Sequence, residues 1–346
     1  MKIGRHQLGP EHPVYCVAEL SANHNHDFNQ ALTLIEQAHL SGADAIKLQT
    51  YTADTITINC RSEPFIIRGT RLWDDQSLYD LYTQASTPWE WHKPLQEKAH
   101  QLGMDFFSSP FDPTAVDFLE SLNVPCYKIA SCEITDHILL QKVAQTQKPV
   151  ILSTGLASLG EIEAAINLLK KNGTPEICVL KCTVDYPADH RDANLRTIPH
   201  IANSFQTLVG LSDHTLCPEV PLVAVSLGAC LIEKHLTLDR ESDGPDAKFS
   251  MTPVEFRQIV SSIRVVEQSL GKITYGGTNS ERGMKKFRKS LFVVKDISAG
   301  EMLTNENIRA IRPGDGLEVC HYSQVIGKIA RCPIPRGTPL TWNLFE

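Results

Sequence analysis

Short apolar runs alternate with longer amphipathic segments over about the first 270 residues of the chain. The short runs are rich in Val, Ile, Leu and Cys, which is typical of strands buried on both faces of a parallel sheet. Eight of them are candidate strands: Val14–Leu20, Ala43–Gln49, Asp105–Ser109, Cys126–Ala130, Pro149–Ser153, Ile177–Lys181, Gln206–Leu211 and Ala229–His235. Helical periodicity marks the segments Phe28–Ser41, Pro88–Leu102, Pro113–Leu122, Leu159–Lys171 and Pro218–Leu227.

This alternation favours an α/β fold in which eight strand–helix units close into a (β/α)8 TIM barrel. An open sheet that binds a dinucleotide would carry a glycine-rich turn after its first strand. The chain instead has Glu19-Leu20-Ser21-Ala22-Asn23-His24 at that position. We therefore predict a catalytic TIM-barrel domain over residues 1–270.

The character of the sequence changes after the predicted barrel. Residues 271–288 contain Gly276-Gly277 and then a polar, basic run, which predicts a linker. Residues 289–346 contain short β-like runs and turn signals such as Arg312-Pro313-Gly314-Asp315-Gly316, which predict a small β-rich domain. A domain of this size has little core of its own, so we expect it to lean on another surface.

Charge and cysteine content exclude several classes of protein. The formal net charge of -7 argues against a nucleic-acid-binding surface, so an anionic substrate must be held by locally placed Lys, Arg and helix N-termini. The ten cysteines are irregularly spaced without a CxxC pair, and we find no secretory leader and no apolar run of about 18 residues. We expect a cytoplasmic protein with no nucleic-acid or membrane partner.

Polar side chains end every predicted strand, and the C-terminal strand ends of such a barrel face its active site. These residues are Glu19, Lys47, Gln49, Ser108, Ser109, Lys128, Ser131, Glu133, Ser153, Thr154, Lys181, Thr183, Tyr186, Ser212, Asp213, His214, Glu233, Lys234 and His235. Any one of them alone would be an ordinary loop residue. Lysines and hydroxyls that converge on one mouth suit a small, multiply charged anion such as a phosphorylated carboxylate. The helix that opens near Leu159 would add free N–H groups for phosphate.

Two histidines follow two of the apolar runs at the same place, in Gly210–Thr215 and in Glu233–Thr237. Either histidine alone would more often be a satisfied strand-end residue. Two neutral imidazoles at neighbouring strand ends predict a site for a divalent metal that keeps open positions and polarises a substrate carbonyl. The residues alone support a metal-assisted reaction of a phosphorylated small molecule.

The same segments resemble the sialic acid synthase family, the phosphoenolpyruvate-dependent nonulosonic acid synthases. The matching pieces are Ala18-Glu19-Leu20, Asn23-His24, Ile46–Thr50, Ser108–Phe111, Tyr127–Glu133, Leu152–Gly155, Gly210–Thr215, Glu233–Thr237 and Gly244-Pro245-Asp246. Residues 289–346 resemble the antifreeze-like (SAF) domain that ends these enzymes. Lys47–Tyr51 and Thr87–Lys93 resemble the pseudaminate branch, with the N-acetylneuraminate and legionaminate branches as alternatives.

The resemblance implies roles for the matched residues. His214 and His235 would bind a divalent metal, usually manganese or magnesium, with cobalt as a further candidate. The residues implied for phosphoenolpyruvate are Lys47, Ser109, Lys128, Ser131, Ser153 and Ser212, and those implied for the sugar are Glu19, Gln49, Glu133, Tyr186 and Asp246. Arg312 would reach the sugar from the partner subunit in a domain-swapped homodimer. Val184 replaces the usual Asn or Ser of the family and is left out of the expected site, with Thr183 as the alternative donor.

The implied reaction is that of a transferase. C3 of phosphoenolpyruvate would attack the metal-polarised aldehyde of an open-chain N-acetylated amino-sugar, which is 2,4-diacetamido-2,4,6-trideoxy-altrose in the pseudaminate branch. Water would then trap C2, and the tetrahedral intermediate would expel phosphate through C–O cleavage. Glu19 would orient the sugar and handle a proton.

Two other classes of protein compete with this interpretation. A metal-dependent barrel hydrolase would use His24-Asn25-His26 as an HxH pair and Lys128 as a bridging ligand, but it would also need histidines where the chain has Ser153-Thr154 and Lys181. We expect His24 and His26 in a polar loop near the mouth instead. A non-catalytic sugar-binding scaffold with an ice-binding tail would need a regular threonine face, which residues 289–346 lack.

Overall fold

The computed structural model describes residues 1–70 and 72–346, which form two compact units, Met1–Gly271 and Lys272–Glu346. In the first unit, eight parallel strands close into a barrel in the order β10-β3-β4-β5-β6-β7-β8-β9, so strands adjacent in sequence are adjacent in space. The predicted TIM barrel is confirmed.

The chain begins with a short hairpin and then supplies the barrel strands. The strands of the first unit are β1 (Lys2–Ile3), β2 (His6–Gln7), β3 (Tyr15–Glu19), β4 (Ala45–Thr50), β5 (Asp105–Pro110), β6 (Tyr127–Ile129), β7 (Val150–Ser153), β8 (Ile177–Cys182), β9 (Leu208–Asp213) and β10 (Leu231–His235). The eight predicted strands are all present, and their ends differ from the prediction by at most two residues. Continuous apolar runs mark them reliably because both faces of each strand are buried.

Helices cover the outside of the barrel. They are α1 (Phe28–Leu40), α2 (Ala53–Ile56), α3 (Leu78–Ala85), α4 (Trp89–Gln101), α5 (Pro113–Ser121), α6 (His137–Gln145), α7 (Leu159–Lys171), α8 (Thr197–Phe205), α9 (Glu219–Ser226) and α10 (Pro253–Leu270). Side-chain caps fix the starts of several of them, for example Asp27 at α1 and the reciprocal Ser158–Glu161 box at α7. The apolar faces of α1 and of α4 to α10 pack on the barrel in one large core.

A second, smaller core fills the N-terminal end of the barrel. Met1, Ile3 and Leu8 of the hairpin segment are buried there together with strand residues such as Phe107. Asp105 at the start of β5 holds this segment: its Oδ1 accepts from the Arg5 backbone N–H at 3.1 Å, and its Oδ2 accepts from His6 Nδ1 and Tyr15 OH at 2.7 and 2.9 Å. The N-terminal end is therefore closed, which leaves the polar C-terminal end for chemistry.

The second unit contains β11 (Ser290–Val293), which pairs antiparallel with β12 (Ile308–Ile311), and a short helix, α11 (Tyr322–Val325). Isolated bridges such as Ile297 to Ile334 connect its turns. Ten buried apolar residues, from Leu291 to Phe345, form its own core. Residues 272–289, which contain most of the predicted linker, are exposed throughout. Among the helices described in either unit, none is both long and apolar enough to cross a bilayer.

Gly4 is expected to be a stability determinant of the first unit. It sits at φ +48° in the β1–β2 turn, and a Cβ there would lie 2.2 Å from Asp105 Oδ1. Gly4→Ala adds this clash to the cost of left-handed backbone, and we expect it to lower the free energy of unfolding by about 2–4 kcal/mol in urea denaturation.

Gly69→Ala is the matched control, because Gly69 has φ +74° but a Cβ added there would have no atom of the described residues within 4 Å. It should cost only the backbone contribution of about 1 kcal/mol. Equal losses for the two variants would contradict the role of Asp105.

Candidate active site

A cavity of about 380 Å³ opens at the C-terminal ends of the barrel strands. This volume lies in the range of small-molecule sites, about 300–1,000 Å³. Most of the expected site residues line it: Lys47, Gln49, Lys128, Ser131, Glu133, Ser153, Tyr186, Ser212, His214, His235 and Asp246. The strand-end pattern therefore brings eleven of the fourteen expected residues to one cavity.

The other three expected residues lie elsewhere. Glu19 is fully buried and forms a salt bridge with Lys47, and Ser109 Oγ accepts from Lys47 Nζ at 3.4 Å. Both therefore contact a cavity residue without lining the cavity. Arg312 belongs to the second unit, where it is exposed.

Strand register places the inward side chains in two rows. His235 on β10 pairs with Glu19 on β3, which pairs with Lys47 on β4. Two residues earlier on β10, Glu233 pairs with Ser212 on β9, which pairs with Cys182 on β8. Because alternate residues of a strand point to the same face, Glu233 and His235 both point inward.

Glu233 forms the centre of a buried charge cluster. Its Oε1 lies 3.3 Å from Lys128 Nζ and 3.8 Å from Lys47 Nζ, and it accepts from Ser212 Oγ at 3.0 Å. The two lysines are only 2–3% exposed. The sequence identified Glu233 as a strand-end residue but gave it no role. The spacing of two residues from His235 is the signal that would have placed it in the site.

The pKa values of this cluster follow from burial and mutual charge. Burial alone would raise the pKa of Glu233, but Lys128 and Lys47 hold it below its usual value, so the carboxylate stays ionised. Burial raises the pKa of Glu19 to about 7 in spite of Lys47. Burial lowers the pKa of Lys128, whereas Glu19 and Glu233 outweigh burial at Lys47 and raise its pKa. The ammonium groups of Lys47 and Lys128 therefore face the cavity, and Glu233 is the carboxylate of the cluster that stays ionised. Two positive charges beside this one negative charge favour the binding of an anion.

The two histidines lie close enough together to share a metal ion. Their ring centroids are 5.4 Å apart. His214 Nδ1 donates to the Thr183 carbonyl at 2.8 Å, which leaves the lone pair on Nε2 for a cation. His235 Nδ1 is buried without a hydrogen-bond partner among the described residues, and burial together with His214 and the nearby lysines lowers the pKa of His235 well below its usual value.

These residues fit a divalent cation with two protein ligands. Within residues 1–70 and 72–346, no group of three His, Cys, Asp or Glu residues could enclose a metal by itself. Water or substrate would complete the coordination, which is the arrangement that a Lewis acid needs. Burial would lower the pKa of His214, but Cys182 and the Thr183 carbonyl raise it overall, so a proton and a cation compete for this ring.

A buried ion pair joins the two strand ends that carry the histidines. Lys234 Nζ donates to Asp213 Oδ2 at 2.6 Å and to the Thr215 carbonyl at 2.8 Å. Lys234 alternates with Glu233 and His235 and so points away from the barrel interior. Of the four lysines expected at the mouth, Lys47 and Lys128 line the cavity, whereas Lys234 holds the strand ends and Lys181 donates to the Cys182 carbonyl at 2.7 Å.

Val184 lines the cavity, although it was left out of the expected site. Thr183, the alternative donor, is not among the lining residues, and its hydroxyl donates to the Asp192 carbonyl at 3.2 Å. The role of Thr183 stays a prediction. Gly155 makes room for Val184, because a Cβ at Gly155 would lie 2.3 Å from Val184 Cγ2.

His24 and His26 do not line the cavity, which removes the HxH pair that a barrel hydrolase would need. His24 Nε2 is hydrogen-bonded to Thr87 Oγ1 at 3.0 Å, and its ring packs on Trp91. Burial lowers the pKa of His24 to about 4, so it is a neutral packing residue. His26 Nε2 donates to the Thr83 carbonyl at 3.1 Å.

Two aromatic residues that the sequence did not indicate, Trp73 and Phe249, complete the cavity around Tyr186. The Tyr186 ring centroid lies 4.5 Å from that of His214, 4.8 Å from Phe249 and 5.7 Å from Trp73. Trp73 Nε1 donates to the Pro245 carbonyl at 3.3 Å and so connects the segment before α3 with the segment after β10. Trp73 and Phe249 lie in long connections without periodicity, so the sequence offered no signal for them.

Comparison with known proteins places the chain among related sequences along its full length. The model of the NeuB family matches residues 34–275, and the model of the SAF domain matches residues 288–346. A pseudaminic acid synthase of Helicobacter pylori is 45% identical over 96% of this chain and 98% of its own length. An N,N'-diacetyllegionaminic acid synthase of Campylobacter jejuni is 39% identical over 91% of this chain and 95% of its own length.

Solved structures agree with these sequence matches. The crystal structure of an N-acetylneuraminic acid (sialic acid) synthetase from Leptospira borgpetersenii in complex with citrate superposes with a TM-score of 0.73 at 32% identity. The match covers 82% of this chain and 94% of that chain.

Glu133→Gln is expected to stabilise the first unit at neutral and alkaline pH. Burial raises the pKa of Glu133 to about 7 from a usual value of 4.5. Because the folded pKa is the higher one, ionisation opposes folding: the penalty is absent below about pH 4.5, grows up to about pH 7 and is complete above it. Glutamine removes the penalty, which should raise the free energy of unfolding by about 2–3 kcal/mol at pH 8 and leave it nearly unchanged at pH 4. Urea denaturation at both pH values checks this, and an equal gain at both would contradict it.

Proposed function

Because the chain belongs to the NeuB family, we propose that it is a phosphoenolpyruvate-dependent synthase that condenses an open-chain N-acetylated amino-sugar to a nonulosonic acid. The observation that carries the proposal is one cavity lined by two buried lysines and two buried, closely spaced imidazoles. Such a cavity provides for a multiply charged anion and for a cation side by side.

The proposed sugar is 2,4-diacetamido-2,4,6-trideoxy-altrose, and the product is pseudaminic acid. Support comes from the relative at 45% identity, which is named a pseudaminic acid synthase and matches this chain along almost its full length. The relative named a legionaminic acid synthase is 39% identical, so a diacetylated sugar of that series is the alternative.

Phosphoenolpyruvate would be held by charge from the lysines and by hydroxyl groups from three serines. Ser153 Oγ is buried and lacks a hydrogen-bond partner among the described residues, so it is free to bind a ligand. Ser131 Oγ accepts from the Gly155 N–H at 3.0 Å, which directs its own hydroxyl proton elsewhere. Ser212 donates to Glu233 and is available as an acceptor. Lys47 and Lys128 would stabilise the charge of phosphate and carboxylate throughout the reaction.

His214 and His235 would hold a divalent cation, manganese or magnesium, with cobalt as a further candidate. When bound, the cation supplies a Lewis acid for the sugar aldehyde. The chain's own contribution is to present two neutral nitrogen donors in fixed positions. The Thr183 carbonyl orients one ring, and the Lys234–Asp213 pair fixes the strand ends on which both rings stand.

The proposed reaction forms a carbon–carbon bond and breaks a carbon–oxygen bond. C3 of phosphoenolpyruvate attacks the aldehyde carbon, water adds to the resulting cationic C2, and the C2–O bond breaks to release phosphate. Glu133 lines the cavity with a pKa of about 7 and an Oε2 that lacks a partner among the described residues, so we assign it the proton handling that the sequence suggested for Glu19. Glu19 instead keeps Lys47 in position through their salt bridge.

We further propose that the active form is a domain-swapped homodimer in which Arg312 contacts the sugar in the partner's cavity. Arg312 is exposed, and so is the whole segment 272–289. Ile273 and Tyr275 in that segment are each 92% exposed, and a second copy would cover such apolar side chains.

The cytoplasmic location stays a prediction of the sequence.

Phosphate release tests the proposed function. Wild-type protein should release phosphate from phosphoenolpyruvate only when the amino-sugar and a divalent metal are both present. His214→Ala and His235→Ala should each lower kcat/KM by about 10²- to 10³-fold, the loss typical for removing one stabiliser of developing charge. Both should also lose Mn²⁺ binding by isothermal titration while their thermal unfolding stays close to wild type.

His190→Ala is the control, because His190 is exposed and lies outside the cavity. Phosphate release without sugar would point to a hydrolase. Full activity in either cavity variant would refute the metal site.

Arg312→Ala tests the role of the second unit. We expect the KM for the sugar to rise about tenfold or more and the KM for phosphoenolpyruvate to stay unchanged, since a charge-assisted hydrogen bond to the sugar contributes about 1.5–3 kcal/mol. Arg336→Ala, an exposed arginine in the same unit, is the control. A monomer in analytical ultracentrifugation, or a rise in the KM for phosphoenolpyruvate alone, would overturn the swapped arrangement.

A further inference from the structure

The connection between β4 and α4 is the longest departure from the barrel pattern in the first unit. It spans residues 51–88 and contains α2, α3 and a 3-10 turn, whereas connections in such barrels usually have about 2–6 residues. Loops of this length in compact domains usually serve binding or closure. We call residues 51–88 the excursion.

The excursion supplies the apolar half of the cavity. Five of its lining residues form what we call the apolar wall: Ile56, Ile67, Leu78, Leu81 and Ala85. Tyr51, Thr70, Trp73 and Tyr82 are its other lining residues, so the excursion offers no charged side chain to the cavity among the residues that the structure describes. The charged groups among the described lining residues, such as Lys47, Lys128 and Glu133, come from elsewhere in the barrel.

The apolar wall lies outside the three core clusters, although Leu81 is buried. Leu78, Leu81, Tyr82 and Ala85 of α3 have the i, i+3, i+4, i+7 spacing of an amphipathic helix, which normally packs its apolar face on a core. Among the described residues, the core clusters contain neither these four nor Ile56 and Ile67. The apolar face of α3 is therefore available to a ligand in the cavity.

The wall is held in place before any ligand binds. The Ile67 N–H donates to the Gln76 carbonyl at 2.9 Å, and the Asp75 N–H donates to the Ile67 carbonyl at 3.1 Å, which closes a small hairpin beside α3. Ser77 caps α3 by accepting from the Asp80 N–H. The Tyr51 ring packs between those of Tyr82 and Phe111, at 5.7 and 5.1 Å. A preformed apolar surface disfavours ligands that place a polar group against it, because it offers that group no hydrogen-bond partner.

We propose that the apolar wall selects sugars that end in a methyl group, as a 6-deoxy sugar does, over sugars that end in a hydroxymethyl group. The proposal rests on the proposed function, in which the aldehyde end of the open-chain sugar lies at the histidines of β9 and β10. We place the far end against the excursion, because the lysines and serines proposed for phosphoenolpyruvate lie at the strand ends. A terminal hydroxyl there loses its water and gains no partner from Ile67, Leu78 or Leu81, whereas a methyl loses nothing.

The test compares two reduced, open-chain sugars that bind but cannot condense. One is the alditol of 2,4-diacetamido-2,4,6-trideoxy-altrose, and the other is the same alditol with a 6-hydroxyl group. Isothermal titration in saturating phosphoenolpyruvate and Mn²⁺ should show that wild type binds the deoxy compound about 10- to 100-fold more tightly, the range expected when a hydrophobic pocket receives an added hydroxyl.

Leu78→Asn keeps the side-chain size but adds a hydrogen-bonding group to the wall. It should reduce the preference to within about threefold without changing the KM for phosphoenolpyruvate. Ile67→Thr lies outside α3 and so leaves the helix sequence unchanged. It should shift the preference between the two alditols in the same direction. Leu40→Asn is the matched control, since Leu40 is exposed at the end of α1 and lies outside the cavity; it should keep the wild-type ratio.

Three outcomes would overturn the role of the wall. Wild type could bind the two alditols equally, it could bind neither of them, or Leu78→Asn and Ile67→Thr could both leave the affinity ratio unchanged. Phosphate release with the unreduced sugar decides the proposed function separately. Normal release together with equal alditol affinities would leave the synthase intact and remove only the wall's selectivity.

Discussion

The rest of the site depends on two lysine side chains that are buried beside the carboxyl groups of Glu233 and Glu19 at the end of the barrel. Moving Lys47 and Lys128 out of water costs several kcal/mol each, and a single pair with Glu233 does not return all of it. The closed N-terminal end and the apolar interior hold the strands in register in spite of this cost. The buried charges create a strong electrostatic field in the cavity, because charges interact more strongly where water is excluded. A dianionic substrate would complete the neutralisation that Glu233 begins.

Strand β10 shows how a single strand serves two purposes. Its inward residues, Glu233 and His235, face the cavity, whereas Lys234 between them points outward and bonds to Asp213. The same alternation holds on β9, where Ser212 faces inward and Asp213 outward. The outward pair is adjacent in sequence to both histidines and is buried. A shift of one residue in register would exchange the two faces, so the register and the chemistry are determined together.

The same physics explains what the sequence could and could not predict. The barrel was predictable because parallel strands are apolar on both faces and leave a simple periodic signal, and the strand ends followed from it. Lys234 was placed at the mouth because a strand-end position alone does not say which face a side chain takes. Val184, Trp73 and Phe249 were missed because they lie in connections whose path is set by tertiary packing rather than by periodicity. Helix α3 was missed for a related reason: its apolar stripe is short and lies outside the large core cluster.

These differences divide the cavity into two parts with different freedom to change. Residues at the strand ends are tied to one another through register, so replacing Lys47 would disturb Glu19 and Glu233 as well. Residues of the excursion are tied mainly to their own hairpin and to α3, and a substitution there leaves the charge cluster untouched. Selectivity for the sugar can therefore vary through the excursion while the groups that handle phosphate and the cation stay fixed. A barrel that separates these two functions retains its chemistry when its substrate changes, because binding the common anion and choosing the sugar draw on different side chains.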